Sequence, residues 1–90
     1  MYYLKWLTTH IAEIVKELRE QGFKVTTEFE VKTPGGFKDR RWADIFVEGP
    51  GEQFVIQVGR NTKSGRPISR EMKAIYDIAT KHKVKFYPYN

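Results

Sequence analysis

The spacing of apolar residues changes at Gly22, and that change does most to limit what this chain can fold into. Before it, Leu4, Leu7, Ile11, Ile14, Val15 and Leu18 recur at i, i+3 and i+4, the stripe of a single amphipathic helix. After it, Phe23, Val25, Thr27, Phe29 and Val31 alternate with Lys24, Thr26, Glu28, Glu30 and Lys32, which predicts a strand with one wet face. Gly22 is a natural helix stop, and Thr8 and Thr9 offer caps for a later helix start.

Pro34, Gly35 and Gly36 lead to a second strand, about Arg40 to Glu48. There Trp42, Ala43, Ile45, Phe46 and Val47 leave little room for polar residues, so both faces are expected to be covered. Gly49, Pro50 and Gly51 turn the chain into a third, equally apolar strand, Gln53 to Gly59. Ser69 is the expected N-cap of a second helix that buries Met72, Ile75, Tyr76 and Ala79, and Val84, Phe86 and Tyr87 make a last strand ended by Pro88. The loops of the three-strand meander are too short for crossovers, so those strands should be antiparallel. The strand after the second helix can pair in parallel. The expected fold class is α/β (α+β), in the order α-β-β-β-α-β, with a mixed central sheet flanked by helices in one domain over residues 1–90.

Composition removes several chemistries. With no cysteine there is no disulfide framework, thiolate zinc site or cysteine nucleophile. His10 and His82 fall on different elements, no Walker or Rossmann glycine pattern occurs, and the serines lack an evident His and Asp pairing. Apolar runs are far short of a membrane span and no signal-peptide pattern follows Met1, so no membrane partner and a cytoplasmic site of action are expected. The net charge of +5 is concentrated: Arg60, Lys63, Arg66, Arg70 and Lys73 face only Glu71 between residues 60 and 73. Such a patch suits an anionic partner or simply a solvated loop.

Two polar residues interrupt the central strands, Asp44 and Gln57. A buried carboxylate or amide without partners is costly, about 1–3 kcal/mol for the amide, so both should be satisfied. Paired around the Gly49–Gly51 turn, they lie toward the same end of the sheet. Their oxygens suit Mg²⁺ there. Alternatively, Asp44 pairs with Arg40 or Arg41, and Gln57 serves backbone groups. Trp42 and Tyr76 read as core residues ahead of base-stacking platforms.

Taken together, RRWADIFV, FVIQVG, the helix SREMKAIYDI and the closing strand VKFYPY resemble the PD-(D/E)XK nuclease superfamily. This restriction-endonuclease-like fold is shared by Holliday-junction resolvases, Mrr-type enzymes and many nuclease domains of bacterial polymorphic toxins. QVGRNTKSGRPISRE is similar to the toxin variants. The resemblance implies Mg²⁺- or Mn²⁺-dependent hydrolysis of nucleic acid, DNA in the first instance. The metal would be held by Asp44, the Gln57 side-chain oxygen and the Val58 carbonyl, with Asp44, Gln57 and Lys63 catalytic. Gly59 departs from the family pattern, standing where the catalytic lysine belongs. That departure makes Lys63 the first replacement, followed by Arg60, Lys73 and Arg70, and leaves an inactive nucleic-acid-binding module as the alternative. Phosphate contacts would come from Lys38, Arg40, Arg41, Arg60, Lys63, Arg66, Arg70 and Lys73, with His10 or Glu17 as an additional site residue. A homodimer and, for a toxin domain, an acidic immunity-type protein are the implied protein partners. A domain that binds only such a protein is the remaining alternative.

Overall fold

The structure, a computed structural model, describes residues 2–88, with side chains described from His10 onward. The helix-stripe residues Leu4 and Leu7 and the cap candidates Thr8 and Thr9 therefore lie outside the described side chains. Helix α1 (Tyr2–Glu20) precedes strands β1 (Lys24–Lys32), β2 (Arg40–Gly49) and β3 (Glu52–Gly59), helix α2 (Ser69–Ala79) and strand β4 (Val84–Pro88). The sheet order is β1-β2-β3-β4, antiparallel across the first two pairs and parallel between β3 and β4, which is the expected mixed α+β arrangement.

Local chemistry accounts for the junctions. Gly22 takes φ +94°, Gly22 N–H donates to the Arg19 carbonyl (3.0 Å) and Phe23 N–H to that of Leu18 (3.1 Å), the paired bonds of a Schellman stop. Between β2 and β3 the Gly49↔Glu52 pair is closed by Pro50 and Gly51 alone, with Gly51 at φ +73°. The start of α2 differs from expectation. Ile68 occupies the N-cap position without a side-chain hydrogen bond, and Ser69 is the first helical residue.

The sheet is packed on both faces. On one, Ile14 and Val15 of α1 meet Val25, Ile45, Val47, Phe54, Ile56 and Val58. On the other, Ile78 of α2 meets Val31, Ala43, Phe46 and Val55, and Phe29 stacks on Phe46 with ring centroids 4.3 Å apart. Fully buried aliphatic residues such as Ile45, Ile56 and Ile78 each contribute about 1.5–3 kcal/mol.

The helix faces correct two expectations. On α2 only Asp77 and Ile78 are buried, Met72 and Ile75 are half-buried, and Tyr76 and Ala79 are exposed. Trp42 is also exposed, at 57%, so neither Trp42 nor Tyr76 is a core residue.

A third correction bears on the site. The alternation in β1 does not describe one wet face, because Val25 joins the α1-side cluster whereas Phe29 and Val31 join the α2-side cluster. β2 reverses in the same place, with Ala43 on the α2 side and Ile45 and Val47 on the α1 side. The reversal falls at Glu28 and Asp44, the pair skipped between Thr27↔Ile45 and Phe29↔Ala43. Glu28 has φ +52°, the left-handed region that costs a non-glycine residue roughly 1–3 kcal/mol. The apolar pattern on both sides of the reversal holds it in place. A strictly alternating strand would turn either Val25 or Val31 out of its cluster.

Candidate active site at the parting of two strands

The β2–β3 ladder ends at Ile45↔Ile56, and beyond it the two polar residues replace the missing pairing. Gln57 Oε1 accepts the main-chain N–H of Asp44 at 2.7 Å, and Asp44 Oδ2 accepts the N–H of Val58 at 2.8 Å. Each side chain thus satisfies a backbone donor that the parted strands would otherwise leave unpaired. Gln57 is 5% exposed and turned into this link, whereas Asp44 is half-buried and borders open space.

A cleft of about 880 Å³ opens from Asp44 along α1, lined by Ile11, Ala12, Val15, Lys16, Arg19, Glu20, Thr27 and Glu28. The cations on its wall come from α1. Arg19 also ties the helix to β1 by donating to the Val25 carbonyl at 3.2 Å. Glu17 lines a different cavity with Phe23, Phe54 and Lys85, away from Asp44. His10 is half-buried next to Ile11 and does not line the Asp44 cleft.

Sequence reasoning missed Glu71, in the first turn of α2. Its carboxylate rests against Gly59: a β-carbon at Gly59 would lie 2.6 Å from Glu71 Cδ and 2.8 Å from Oε2. Gly59 is buried, so its open face receives Glu71 rather than an external strand. The position where the family pattern has lysine is therefore filled by an acid from the next helix. Asp44 on the Val58 N–H and Glu71 on Gly59 occupy consecutive backbone positions at the end of β3. A glycine ending an apolar strand was the available signal, since such glycines mark the close approach of another group.

Electrostatics agree with that placement. Burial pushes the Asp44 carboxyl above the usual range, partly offset by the Val58 N–H. Burial also pushes Glu71 up, the neighbouring Asp44 charge pushes it further, and Arg70 partly offsets both.

The expected cations divide. Arg41 is committed: its Nε donates to Asp77 Oδ2 at 2.8 Å, and its side chain is 11% exposed, so it is not a phosphate contact. Asp77 accepts two further bonds, from Phe37 N–H (2.9 Å) and Lys38 N–H (3.1 Å), and so clasps the β1–β2 loop to α2. Lys38, Arg40, Arg60, Lys63, Arg66, Arg70 and Lys73 are all exposed, with Lys73 Nζ 5.6 Å from the Phe37 ring centroid. The segment after β3 folds back on itself through an Asn61↔Pro67 bridge and a Thr62 N–H bond to the Arg66 carbonyl (2.6 Å). Lys63 sits in its tip. Because β2 starts where β3 ends, Arg40 and this loop belong to the same end of the sheet as Asp44.

Asp44, Glu71 and the Val58 carbonyl supply hard oxygen donors of the kind Mg²⁺ and Mn²⁺ accept, and neither carboxylate has an ion-pair partner among the described residues. Among those residues no three His, Cys, Asp or Glu side chains gather into a closed metal site. The donor set fits an open Mg²⁺-type site, which keeps waters and takes a substrate phosphate, better than an all-protein cage. No family model, curated protein or solved structure matches the chain.

Proposed function

We propose that the chain is a divalent-cation-dependent nuclease of restriction-endonuclease-like design, acting on nucleic acid and on DNA in the first instance. The observation that carries this reading is the pairing of Asp44 and Glu71 near the parting of β2 and β3: two half-buried acids with raised proton affinity, the charge of Asp44 acting on Glu71, and Asp44 bordering an open cleft. Perturbed, like-charged acids in a cleft are a functional-site signature. Mg²⁺ or Mn²⁺ held by Asp44 and Glu71, with the Val58 carbonyl, would supply water activation and neutralisation of charge on the phosphate. Gln57 acts as a positioning residue, fixing the Asp44 backbone through its 2.7 Å bond. Arg40, Arg60, Lys63, Arg66 and Arg70 hold phosphates along the same sheet end, giving salt-sensitive binding with little sequence preference.

A second reading, a nucleic-acid-binding module without turnover, is favoured by one observation. Gln57 Oε1 and one Asp44 oxygen are already bonded to main-chain donors, leaving fewer ligands for a metal. Incubation with supercoiled plasmid and labelled RNA, in Mg²⁺, Mn²⁺ or EDTA, separates the two. The nuclease reading expects cation-dependent cutting that is lost in folded Asp44→Ala and Glu71→Ala proteins. Salt-sensitive binding with no cutting on either substrate would favour the module.

A further inference from the structure

Next to the proposed site, Trp42 lies outside both core clusters. Along β2, Arg41 bonds to Asp77 of α2 and Ala43 joins the α2-side core, so Arg40 and Trp42 turn to the opposite face. On that face the described side chains of α1 pack on the cluster of Ile45 and Val47, which does not include Trp42, and Trp42 is 57% exposed. Trp42 shares a hollow of about 380 Å³ with Glu28, Ala43 and Asp44. The indole stands on a strand next to a candidate catalytic carboxylate and has an open ring surface.

We propose that Trp42 is a stacking platform for an unpaired nucleobase, so that the nucleic acid acted on at Asp44 is single-stranded or locally unpaired. This rests on the nuclease reading for the role of Asp44 but not for the binding itself. Charge supports a single-stranded occupant. Glu28 lines the hollow and Glu30 pairs with Trp42 across the strands, so a phosphate is repelled from the ring while a base is not. Cations stand further along the strands: exposed Lys32 and, paired opposite it, Arg40, whose side chain is 64% exposed and 3.9 Å from Glu30. That pattern, an aromatic face inside a cationic margin, is how sequence-tolerant single-strand binders work. A duplex keeps its base faces stacked away from such a ring.

The test is made in EDTA, which separates binding from hydrolysis, using oligo-dT, oligo-U and a blunt DNA hairpin. Trp42 emission is taken as the signal that Trp42→Phe removes, and affinity is followed by anisotropy of the labelled strand. Saturable quenching by the single strands is expected, together with a loss of about fivefold to a hundredfold in single-strand affinity for Trp42→Ala, near-full recovery in Trp42→Phe, and hairpin binding that hardly changes. Quenching of this kind with no cutting under any cation would remove the nuclease reading and leave the platform standing. Unchanged single-strand affinity in Trp42→Ala without quenching would overturn the platform, even if plasmid cutting persists. So would sedimentation showing a dimer that Trp42→Ala dissociates, because the ring would then face a second copy.

Discussion

Two acids at opposite ends of α2 rest against glycines of the same sheet-and-loop framework, and they are treated in opposite ways. Asp77 lies where a β-carbon of Gly36 would be, 2.5 Å from Oδ1, and it receives three donors, including the Arg41 guanidinium. Burial alone would raise its proton affinity. The Phe37 N–H, Arg41 and the Lys38 N–H outweigh that and hold it below the usual carboxylate range. Glu71 lies in the same relation to Gly59, yet it has no hydrogen bond among the described residues and faces the charge of Asp44. The fold solves the electrostatic problem at Asp77 and leaves it open at Asp44 and Glu71. An acid matched by its donors is a structural fastener. A mismatched pair, one member of which borders a cleft, is what the proposed cation-dependent site would require.

Substitutions can break this contrast. The largest effect is expected on cleavage: Asp44→Asn or Glu71→Gln should lower the rate by at least about a hundredfold, a size typical of removing one preorganised charge contact, with the fold retained by circular dichroism. Next is stability at the other acid. Asp77→Asn leaves Arg41 buried without its counter-charge and should lower Tm by roughly 10 °C or more in a domain of this size. Cleavage by the fraction that remains folded should change little.

The pH dependence of these effects should have opposite signs. Asp77, with its lowered proton affinity, contributes stability above the unfolded-chain value near about pH 4 and loses it as pH falls below that. Asp44 and Glu71, with raised affinity, favour the fold most when protonated, and that contribution is lost as pH rises through their folded values. Asp44→Asn and Glu71→Gln should therefore raise Tm at pH 7 and have no stabilising effect below about pH 4, as thermal melts across that range would reveal.

The glycines sharpen the comparison further. Gly36→Ala drives a methyl into a carboxylate pinned by three bonds and should cost about 1–3 kcal/mol by urea denaturation. Gly59→Ala meets the end of a Glu71 side chain that no hydrogen bond pins among the described residues and that can rotate aside, so it should cost less stability and more activity. The smallest expected effect is that of Lys63→Ala, a loop-tip phosphate contact, which should reduce the slope of log affinity against log salt by about one.

Much of this was legible in the chain. The change of period at Gly22, the Pro50–Gly51 turn and the apolar runs of β2 and β3 predicted the element order and the mixed sheet, because each depends on residues close in sequence. Asp44 and Gln57 could be brought together from the hairpin register alone. The reversal at Glu28 could not be foreseen, since alternation in β1 looks unbroken until two separate helices claim different parts of it. Arg41 read as a surface cation because its partner, Asp77, lies far along the chain in a stretch that reads as helix. Glu71 was passed over for a similar reason. Gly59 was read as a missing lysine, when its lack of a side chain is what admits a carboxylate from α2.

The most direct measurement is a titration of Mn²⁺ into the folded protein, followed by electron paramagnetic resonance, for the natural chain and for Asp44→Asn, Glu71→Gln and Asp77→Asn. Weak binding by the natural chain, lost in the first two variants and kept by folded Asp77→Asn, is the expected result. Equal Mn²⁺ affinity in the natural chain, Asp44→Asn and Glu71→Gln would contradict the assignment of these two acids as the functional pair.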